Sequence, residues 1–389
     1  MTELGALPEE WEVVKLGEVV EMKQGKVLPM ELLTKQGFPA FGANGQIGWY
    51  INYTHDKAEV LITCRGATCG TINISPPKSF ITNNAMITTP LDENKLTKNF
   101  LGFVLMISNL KQIVTGSGQP QITKANLFTF IIPLPPLAEQ QKIAAVLSAV
   151  QEAKEKTEAV IKATKALKKS MMKHLFTYGP VSPEEAENVP LKETEIGPVP
   201  KDWEVVRLGE IFSIFAGGDV SKINYSPIKI DKYIYPIYSN SKENNGLYGF
   251  SDTYNAQGNS ITITARGNLG YAIPRYENFN AIIRLLVLTP KDTLNIKFIS
   301  EYINSKIKIN LEGSSIPQLT VPKISMYMVP LPPLPTQQKI ASILSAIDAK
   351  IEAEENKKKA LEELFKSLLH NLMTGKIRVN NLKLNEKDI

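Results

Sequence analysis

Three pairs of short polar turns carry the side chains of this sequence that could contact a ligand. They are Asn44-Gly45 with Asn245-Gly246, Arg65-Gly66 with Arg266-Gly267, and residues 116–121 with 313–318. Arginine, asparagine and glutamine are the residue types that make bidentate hydrogen bonds to guanine and adenine edges. A second interpretation stays open at this point, in which the glycines only serve tight turns and the two arginines only hold a loop in place.

The motifs of common DNA-processing enzymes are missing or incomplete. Ser75-Pro76-Pro77-Lys78 resembles an amino-methyltransferase motif, but Lys78 stands where that chemistry needs an aromatic ring to stack on a flipped base. No Gly-x-x-x-x-Gly-Lys-Ser/Thr loop is present. Asp348-Ala349-Lys350 and Glu355-Asn356-Lys357 lie in a predicted long helix, where a solvated flank explains them. We therefore predict that this chain is not an enzyme and has no catalytic residues.

Metal binding and disulfide bonding are not indicated either. The sequence has two cysteines, Cys64 and Cys69, and three histidines, His55, His174 and His370, without the spacing of a zinc site. No apolar run reaches the ~18 residues of a membrane span, and the first residues lack the pattern of a secretory signal. We expect a cytoplasmic protein without a metal or membrane partner. The net charge of +5 does not by itself indicate nucleic-acid binding.

The chain repeats itself, and the two parts of each repeat differ in how strictly their length is kept. Trp11–Glu18 recurs as Trp203–Glu210, and residues 120–177 align with 317–374 without a gap. Insertions and deletions fall within residues 19–119 and their counterparts. A part of fixed length is suited to measuring a distance, whereas a diverging part is suited to recognising something different in each copy.

The variable parts are typical of a mixed α and β structure. Val60–Thr63, Ala85–Thr89 and Ser260–Thr264 are short β-branched or apolar runs bounded by glycine, asparagine and proline, which predicts strands. Residues 97–114 and 293–311 carry apolar residues at helical spacing, which predicts helices. Each variable part has ~130 residues, enough for an independent core.

The constant parts are predicted to be long helices that begin after Leu-Pro-Pro-Leu, because proline is tolerated in the first helical turn. About forty residues at ~1.5 Å each give ~60 Å of helix. Apolar residues follow heptad spacing in both copies, so the economical partner of each helix is the other, in antiparallel orientation. The predicted seam consists of Ile143, Leu147, Val150, Ile161, Met171 and Leu175 in the first helix and of Ile340, Leu344, Ile347, Ile351, Leu361, Phe365, Leu368 and Leu372 in the second.

These patterns predict an α+β protein with two mixed α/β globular domains, two long antiparallel coiled-coil helices and internal two-fold pseudo-symmetry. The predicted boundaries are 1–135 for the first domain, 136–178 for the first helix, 179–200 for a linker, 201–332 for the second domain, 333–375 for the second helix and 376–389 for a poorly ordered tail.

The sequence resembles the DNA-specificity (S) subunits of type I restriction–modification systems over essentially its whole length. Three features carry the resemblance, and both copies have all three in the same order. They are the Trp-Glu-Val-Val-Lys/Arg-Leu-Gly-Glu opening, the Arg-Gly strand end, and Pro-Leu-Pro-Pro-Leu-x-x-Gln-Gln-Lys-Ile-Ala before the long helix.

The resemblance implies two target-recognition domains, each of which reads one half of an asymmetric bipartite site in double-stranded DNA. The helices would set the spacer and dock two methyltransferase (M) subunits and the restriction (R) subunits. S-adenosylmethionine, magnesium and ATP would belong to those partners, and this chain would hold no cofactor. About 60 Å of helix is enough to separate two modules by one duplex turn of ~34 Å.

Within that interpretation, lysines are assigned to phosphates, and asparagine, glutamine and arginine to bases or to positioning. The assignment is a hypothesis based on side-chain type and repeat position. The residues chosen in the first domain are Lys26, Asn44, Arg65, Gln119, Gln121 and Lys124, and their counterparts in the second are Lys222, Asn245, Arg266, Asn268, Gln318 and Lys323.

A function of another class is also compatible with the composition: a tandem-domain scaffold that binds proteins through its long helices, without DNA recognition. The polar turns and the helices of fixed length favour the DNA-binding hypothesis over this alternative.

Overall fold

The structure is a computed structural model that describes residues 7–43, 45–116, 118–219, 224–309 and 318–379. The chain divides into two compact units. Unit 1 comprises Met1–Ala159 and Glu355–Ile389, and unit 2 comprises Val160–Glu354. Each unit therefore contains one domain, part of one long helix and part of the other, whereas the sequence-based boundaries simply follow the chain.

The domain of unit 1, called domain one, is built from short strands and helices that precede the first long helix. Its strands are β1 Glu12–Lys15, β2 Val20–Gln24, β3 Phe38–Gly42, β4 Gly45–Tyr50, β5 Val60–Thr63, β6 Ile72–Ile74, β7 Phe80–Ile81, β8 Ala85–Pro90 and β9 Ile131–Leu134. Its helices are α1 Leu16–Val19, α2 Lys98–Ile107 and α3 Lys124–Phe128, and the long helix that follows is α4 Leu137–Tyr178.

Domain one contains two sheets that share a buried interior. An antiparallel sheet has the order β2-β8-β5-β6, a smaller one has the order β4-β3-β7, and β1 pairs with β9. The central strand β5 is buried throughout because both of its faces are covered. Val60 and Ile62 face the core beneath α2, while Leu61 joins Phe41 and Ile81 between the two sheets.

A short segment connects the first long helix to the second domain. It contains α5 Pro183–Ala186 and a two-stranded pairing of β10 Leu191–Lys192 with β11 Val199–Pro200. Ser182 caps α5 by accepting a hydrogen bond from the backbone N–H of Glu185.

Domain two, the domain of unit 2, repeats this plan. Its strands are β12 Glu204–Arg207, β13 Phe212–Ala216, β14 Tyr225–Ser226, β15 Tyr235–Tyr238, β16 Leu247–Ser251, β17 Ser260–Ile263, β18 Ala272–Arg275, β19 Asn280–Ala281, β20 Leu286–Pro290 and β21 Met328–Leu331. Its helices are α6 Leu208–Ile211, α7 Ile296–Lys306 and α8 Val321–Ser325, followed by the long helix α9 Leu334–Met373.

The sheet orders confirm the predicted internal symmetry. The main sheet is β13-β20-β17-β18, which matches β2-β8-β5-β6 strand for strand, and β12 pairs with β21 as β1 does with β9. The smaller sheet, β14-β16-β15-β19, has one strand more than its counterpart in domain one within the described residues.

The predicted strands are confirmed, but the two predicted domain helices are too long. Residues 97–114 contain α2, which ends at Ile107, and a separate 3-10 turn at Leu110–Ile113. The helix ends because Ser108 has extended backbone angles and its hydroxyl donates to the carbonyl of Val104. In domain two, residues 293–311 contain α7, which ends at Lys306.

A buried glutamine joins each domain to the start of its long helix. Gln140 Oε1 accepts from the Thr97 backbone N–H at 3.0 Å, and its Nε2 donates to the Pro135 carbonyl at 2.8 Å. Gln337 makes the equivalent bonds to the Asn295 N–H at 3.0 Å and the Pro332 carbonyl at 2.8 Å. Because Thr97 and Asn295 are the N-caps of α2 and α7, the domain helix and the long helix are fixed to each other in both copies.

The heptad positions of α4 and α9 face inward within each unit. Ile143, Leu147 and Leu372 are buried in the core of unit 1, and Leu175, Ile340 and Leu344 in that of unit 2. The start of α4 therefore packs with the end of α9 in unit 1, and the end of α4 with the start of α9 in unit 2, which is the predicted antiparallel arrangement. Ile161 is buried, and the seam residues that remain are half-buried: Val150, Met171, Ile347, Ile351, Leu361, Phe365 and Leu368.

The beginning of the predicted tail is packed, so the expectation of poor order is wrong for residues 376–379. Val379 is buried in the core of unit 1, and Arg378 Nε donates to Glu139 Oε1 at 2.7 Å. The same carboxylate accepts from the Trp11 indole at 3.0 Å. Residues 380–389 lie outside the described part of the chain.

Candidate nucleic-acid interface

The end of β5 in domain one lies beside the segment that leads into α3. The Cys64 carbonyl accepts from the Ile122 N–H at 3.0 Å, and Arg65 and Gln121 form an antiparallel bridge pair. Both of these side chains are exposed. The structure therefore brings together two predicted contact residues from distant parts of the sequence.

Lys26 follows the end of β2 and lies at the same end of the main sheet as Arg65, which follows β5. Its N–H donates to the Ile81 carbonyl at 2.9 Å, and its carbonyl accepts from the Asn83 N–H at 3.0 Å. The carbonyl of Asn84, the residue after Asn83, accepts from the Cys64 N–H at 3.0 Å. Backbone hydrogen bonds thus connect the exposed Lys26 to the strand end that carries Arg65.

The turn between β3 and β4 is attached to this edge by two threonines. The Ala43 carbonyl accepts from the hydroxyl of Thr63 at 2.7 Å and from that of Thr68 at 2.8 Å. Asn44, the predicted contact residue of this turn, lies outside the described residues.

Of the two other residues predicted in domain one, Gln119 lies near Arg65 and Gln121, whereas Lys124 lies away from them. Gln119 is exposed in the loop that returns to Gln121, and its carbonyl would lie 2.5 Å from a Cβ at Gly116, where φ is +88°. A glycine is therefore required for that turn. Lys124 is the exposed first residue of α3, which packs against α1 at the opposite end of β2 from Lys26.

Domain two uses the same backbone frame at the end of β17. The Ala265 carbonyl accepts from the Leu319 N–H at 3.0 Å, which places the exposed Arg266 next to the half-buried Gln318. The hydroxyl of Thr264 donates to the Asn268 carbonyl, so the backbone of Asn268 is held while its side chain stays exposed.

Asn245 lies in a turn of left-handed residues before β16. Asn244, Asn245 and Gly246 have φ values of 47°, 52° and 80°, a conformation that asparagine and glycine tolerate best. The Asn245 carbonyl accepts from Arg275 Nη2 at 2.6 Å, and its own side chain is exposed.

Arg275 is a buried support for that turn and was not among the residues predicted from the sequence. Its Nε donates to the Thr262 hydroxyl at 3.0 Å, and its guanidinium carbon lies 3.4 Å from the centroid of the Tyr238 ring. Burial, followed by the hydrogen bond to Glu277, raises the pKa of Tyr238 to about 12, so its hydroxyl stays protonated. Thr262 occupies the position of the apolar Leu61, and this polar replacement is what the buried arginine requires.

A second arginine, which was not among the residues predicted from the sequence, lines the same cavity as Arg266. Arg284 and Arg266 line an open cavity of about 440 Å³ together with Gly217, Gly218 and Asp219. Both arginines are exposed. The site offers two guanidinium groups, which are donors only and suit planar or anionic acceptors.

Within the described residues, no group of His, Cys, Asp or Glu side chains is arranged to hold a metal ion. Cys64 and Cys69 are both buried, and burial raises the pKa of each thiol, which keeps them protonated near neutral pH. Within the same part of the chain, no helix is both long enough and apolar enough to span a membrane.

Two segments of the chain, residues 8–164 and 200–363, match the family described as "Type I restriction modification DNA specificity domain". The chain belongs to this family. The two matches correspond to the two copies of the repeat, so each copy is one specificity domain with most of its long helix.

Named relatives of this specificity protein extend over nearly its whole length. The type I restriction enzyme MjaVIII specificity subunit of Methanocaldococcus jannaschii is 27% identical, with 97% of this chain and 95% of that protein covered. A putative type I specificity subunit of Mycoplasma pneumoniae is 23% identical over 86% of this chain and 88% of that protein.

Solved structures show the same fold. The crystal structure of the type I restriction–modification S subunit from M. genitalium superposes with a TM-score of 0.73 at 20% identity, covering 96% of this chain and 99% of that one. A chain from a structure on complex assembly and conformational transition of the type I R-M system gives a TM-score of 0.52 at 19% identity, covering 96% of this chain and all of that one.

The structure corrects the predicted pairing of the lysines in this specificity subunit. Gly218 donates to the Ala281 carbonyl and accepts from the Ile283 N–H, as Lys26 does with Ile81 and Asn83, so Gly218 is the structural counterpart of Lys26. Lys222, the predicted counterpart of Lys26, lies outside the described residues.

Lys124 and Lys323 are not equivalent either. Thr123 and Thr320 both precede the short helices α3 and α8, so Lys124 corresponds to Val321 and the half-buried Lys323 to Asn126. Gln121 and Gln318, in contrast, occupy matching places before Ile122 and Leu319.

Proposed function

We propose that this specificity subunit reads DNA sequence, with each domain recognising one half of an asymmetric bipartite site. The observation that carries the proposal is that one backbone frame presents different side chains in the two copies. Domain one presents Lys26 with Arg65, and domain two presents Arg266 with Arg284. Identical halves would suit a palindrome, whereas unequal edges suit unequal half-sites.

The long helices are proposed to set the distance between the half-sites and to dock the methyltransferase and restriction subunits. Helix α4 has 42 residues and α9 has 40, which corresponds to about 60 Å each. The glutamine bonds of Gln140 and Gln337 fix each domain to its helix, so helix length would be transmitted to the domain. This is the property that a spacer requires.

Catalysis is proposed to belong to the partner subunits in the cytoplasm. This chain would direct an adenine-N6 DNA methyltransferase and an ATP-dependent endonuclease, and those subunits would bind S-adenosylmethionine, magnesium and ATP. A modest net charge of +5 is compatible with partners that supply much of the phosphate contact.

The test is selection from a pool of randomised DNA duplexes at fixed salt by the chain in complex with its methyltransferase subunit. The proposal predicts two short, unequal motifs at constant separation. The double variant Arg65→Ala with Gln121→Ala should relax one motif and leave the other and the spacing unchanged. An Arg207→Ala variant is a matched control, because Arg207 lies at the start of α6 and at the opposite end of β13 from Gly217.

Failure to recover any motif, with the methyltransferase subunit demonstrably bound, would contradict the proposal and leave the protein-binding scaffold. Recovery of motifs that the Arg65 and Gln121 substitutions do not alter would assign these two residues a structural role.

A further inference from the structure

The turn between β19 and β20 has an unfavourable backbone that its counterpart lacks. Ile283 and Arg284 have φ values of 52° and 59°, and the left-handed region is costly for residues other than glycine, most of all for a β-branched one. The equivalent residues of domain one, Asn83 and Asn84, do not have positive φ. Domain two thus adopts the strained conformation with residue types that tolerate it less.

Paired glycines hold this turn from one side. The Gly218 carbonyl accepts from the Ile283 N–H at 2.8 Å, and the Gly217 carbonyl accepts from the Arg284 N–H at 3.1 Å. A Cβ at Gly217 would lie 2.6 Å from backbone atoms of Ala281, so only glycine allows this close approach.

Asn240 holds the turn from the other side. Its amide nitrogen donates to the Ile283 carbonyl, and its Oδ1 accepts from the Ala265 N–H at 2.6 Å. In domain one the corresponding N–H, that of Cys64, donates to the Asn84 carbonyl instead. An inserted side chain therefore replaces a direct backbone bond, which allows the turn to take a different shape.

These bonds hold a turn in which Arg284 lines the same cavity as Arg266. Strained conformations persist only where surrounding contacts determine them, and they concentrate at functional sites. Gly218 leaves its side of the cavity open, because a Cβ there would have no neighbour within 4 Å among the residues that the structure describes. Two exposed arginines, Arg266 and Arg284, thus line one accessible concave surface.

We propose that Arg284, together with Arg266, reads guanine in the half-site of domain two and that Arg284 determines specificity there. The inference rests on the proposed function. A phosphate contact needs only positive charge, which a flexible lysine supplies, whereas a bidentate contact to guanine O6 and N7 needs a planar fork at a fixed position. The strained turn fixes the backbone from which the Arg284 fork extends.

The experiment uses the complex with the methyltransferase subunit and the same randomised duplex pool at two salt concentrations. Arg284→Gly removes the fork and suits the left-handed backbone, so loss of folding does not explain its effect. Arg284→Lys keeps the charge without the fork, and Arg207→Ala controls for the loss of one exposed arginine far from the cavity.

Both Arg284 variants should reduce discrimination at one guanine position of the second half-site by about 5- to 150-fold, with the first half-site and the spacing unchanged. Arg266→Lys should act at the same position or at its neighbour. Arg207→Ala should change neither.

Three results would overturn the inference while leaving the proposed function intact. The first is a wild-type bipartite motif that the Arg284 variants do not alter, and the second is full retention of discrimination by Arg284→Lys. The third is an equal loss of affinity on all sequences with a smaller salt dependence, which would assign Arg284 to a phosphate. Absence of any motif with the wild-type complex would instead contradict the proposed function itself.

Discussion

The contact between domain helix and long helix differs between the two units at equivalent positions. In unit 1, Phe103 of α2 lies against Phe365 of α9, with ring centroids 6.1 Å apart. In unit 2, Glu301 of α7 takes the place of Phe103, and Lys168 of α4 takes the place of Phe365. Glu301 and Lys168 form an ion pair of 2.9 Å. One copy of the repeat is therefore joined by an apolar contact and the other by charges.

The charged contact extends to four residues. Lys297 bonds to Glu301 at 2.7 Å and to Asp348 at 2.8 Å, and Asp348 also pairs with Lys168 at 2.6 Å. Burial acts against the charge of Asp348, but hydrogen bonds from Lys168 and Lys297 outweigh it and lower the pKa of the carboxyl below its ordinary value. Burial likewise opposes the charge of Lys297, and its bonds to Asp348 and Glu301 still raise its pKa.

The same backbone contact between a domain helix and a long helix therefore accommodates either an aromatic pair or an ion pair, and the members of the two pairs cannot be exchanged. Phe103 has an exposed fraction of 2%, so a cation placed against it would be desolvated without a partner. Glu301, which is nearly as buried, would lose its partner against a phenyl ring. Each domain helix therefore matches the long-helix segment of its own unit and not the equivalent segment of the other.

The largest effect is expected from Phe365→Lys, which introduces the residue type of Lys168 into unit 1. The variant should lose about 2–4 kcal/mol of unfolding free energy, because a ring contact is removed and an ammonium group faces the buried Phe103. Denaturant unfolding measures the loss. Leu364→Lys is the control, because Leu364 is 46% exposed on the same helix, and its cost should stay below about 0.5 kcal/mol.

Adding Phe103→Glu to Phe365→Lys should recover part of that loss, because the pair of unit 2 is then reproduced. The proposed difference between the units would be contradicted if Phe365→Lys lost no more unfolding free energy than Leu364→Lys. It would also be contradicted if the loss in the double variant equalled or exceeded the sum of the losses in its single variants.

A smaller loss is expected from Glu301→Leu, which leaves Lys168 and Lys297 to share Asp348. About 1–3 kcal/mol of local stability should be lost, since Lys168 and Lys297 keep some solvent exposure and both still pair with Asp348. The double variant Lys168→Leu with Glu301→Leu should lie within about 1 kcal/mol of wild type, because an apolar pair replaces the ion pair while Lys297 keeps Asp348. Hydrogen exchange of the α7 amides measures both, and equal losses in the two variants would contradict the compensation.

The aromatic contact of unit 1 and the ion pairs of unit 2 should also differ in their response to acid. Because the folded pKa of Asp348 lies below the ordinary value of 3.8, its stabilising contribution is complete above that value and is lost as the pH falls through the lowered folded pKa. The α7 amides should therefore lose protection against hydrogen exchange in that range, and Asp348→Asn should remove this component. An Asp348→Asn variant with the wild-type acid profile would disprove the assignment.

The smallest effect is expected at a position where the copies differ by one sulfur atom. Cys64 corresponds to Ala265, and both are fully buried after equivalent strands. Cys64→Ala should cost less than about 1 kcal/mol, because the backbone frame is the same in both domains and the thiol is a small apolar group. The midpoint of denaturant unfolding is the readout, with Cys69→Ala for comparison, and a loss above about 2 kcal/mol would mean that the copies are not interchangeable here.

Regular spacing allowed the long helices to be predicted, since every residue of the proposed heptad seam is buried or half-buried. Repetition also predicted the two domains and the strand ends that carry Arg65 and Arg266. The domain helices were predicted too long, because apolar residues continue beyond Ile107 while the Ser108 hydroxyl already bonds to the Val104 carbonyl.

The candidate site was harder to predict from the sequence than the long helices, because its geometry depends on backbone hydrogen bonds between segments that are distant in sequence. Gly218 takes the place of Lys26 through two main-chain bonds that no side chain reveals. Ile283-Arg284 carries no local turn signal, and its left-handed conformation results from Gly217, Gly218 and Asn240, which are far from it in sequence. Side-chain type alone therefore mispaired two lysines, Lys222 and Lys323, and overlooked two arginines, Arg275 and Arg284.

The difference between the Phe103–Phe365 and Glu301–Lys168 contacts has a consequence for recombination between genes that encode specificity subunits. Exchange of a whole domain between the two positions of the chain would keep the backbone-binding glutamine, Gln140 or Gln337, at the new helix. It would also set Phe103 against Lys168, or Glu301 against Phe365. Crossovers that keep a domain at its own position avoid this mismatch, so we expect new recognition sequences to be inherited position by position, with first domains replacing first domains and second domains replacing second ones.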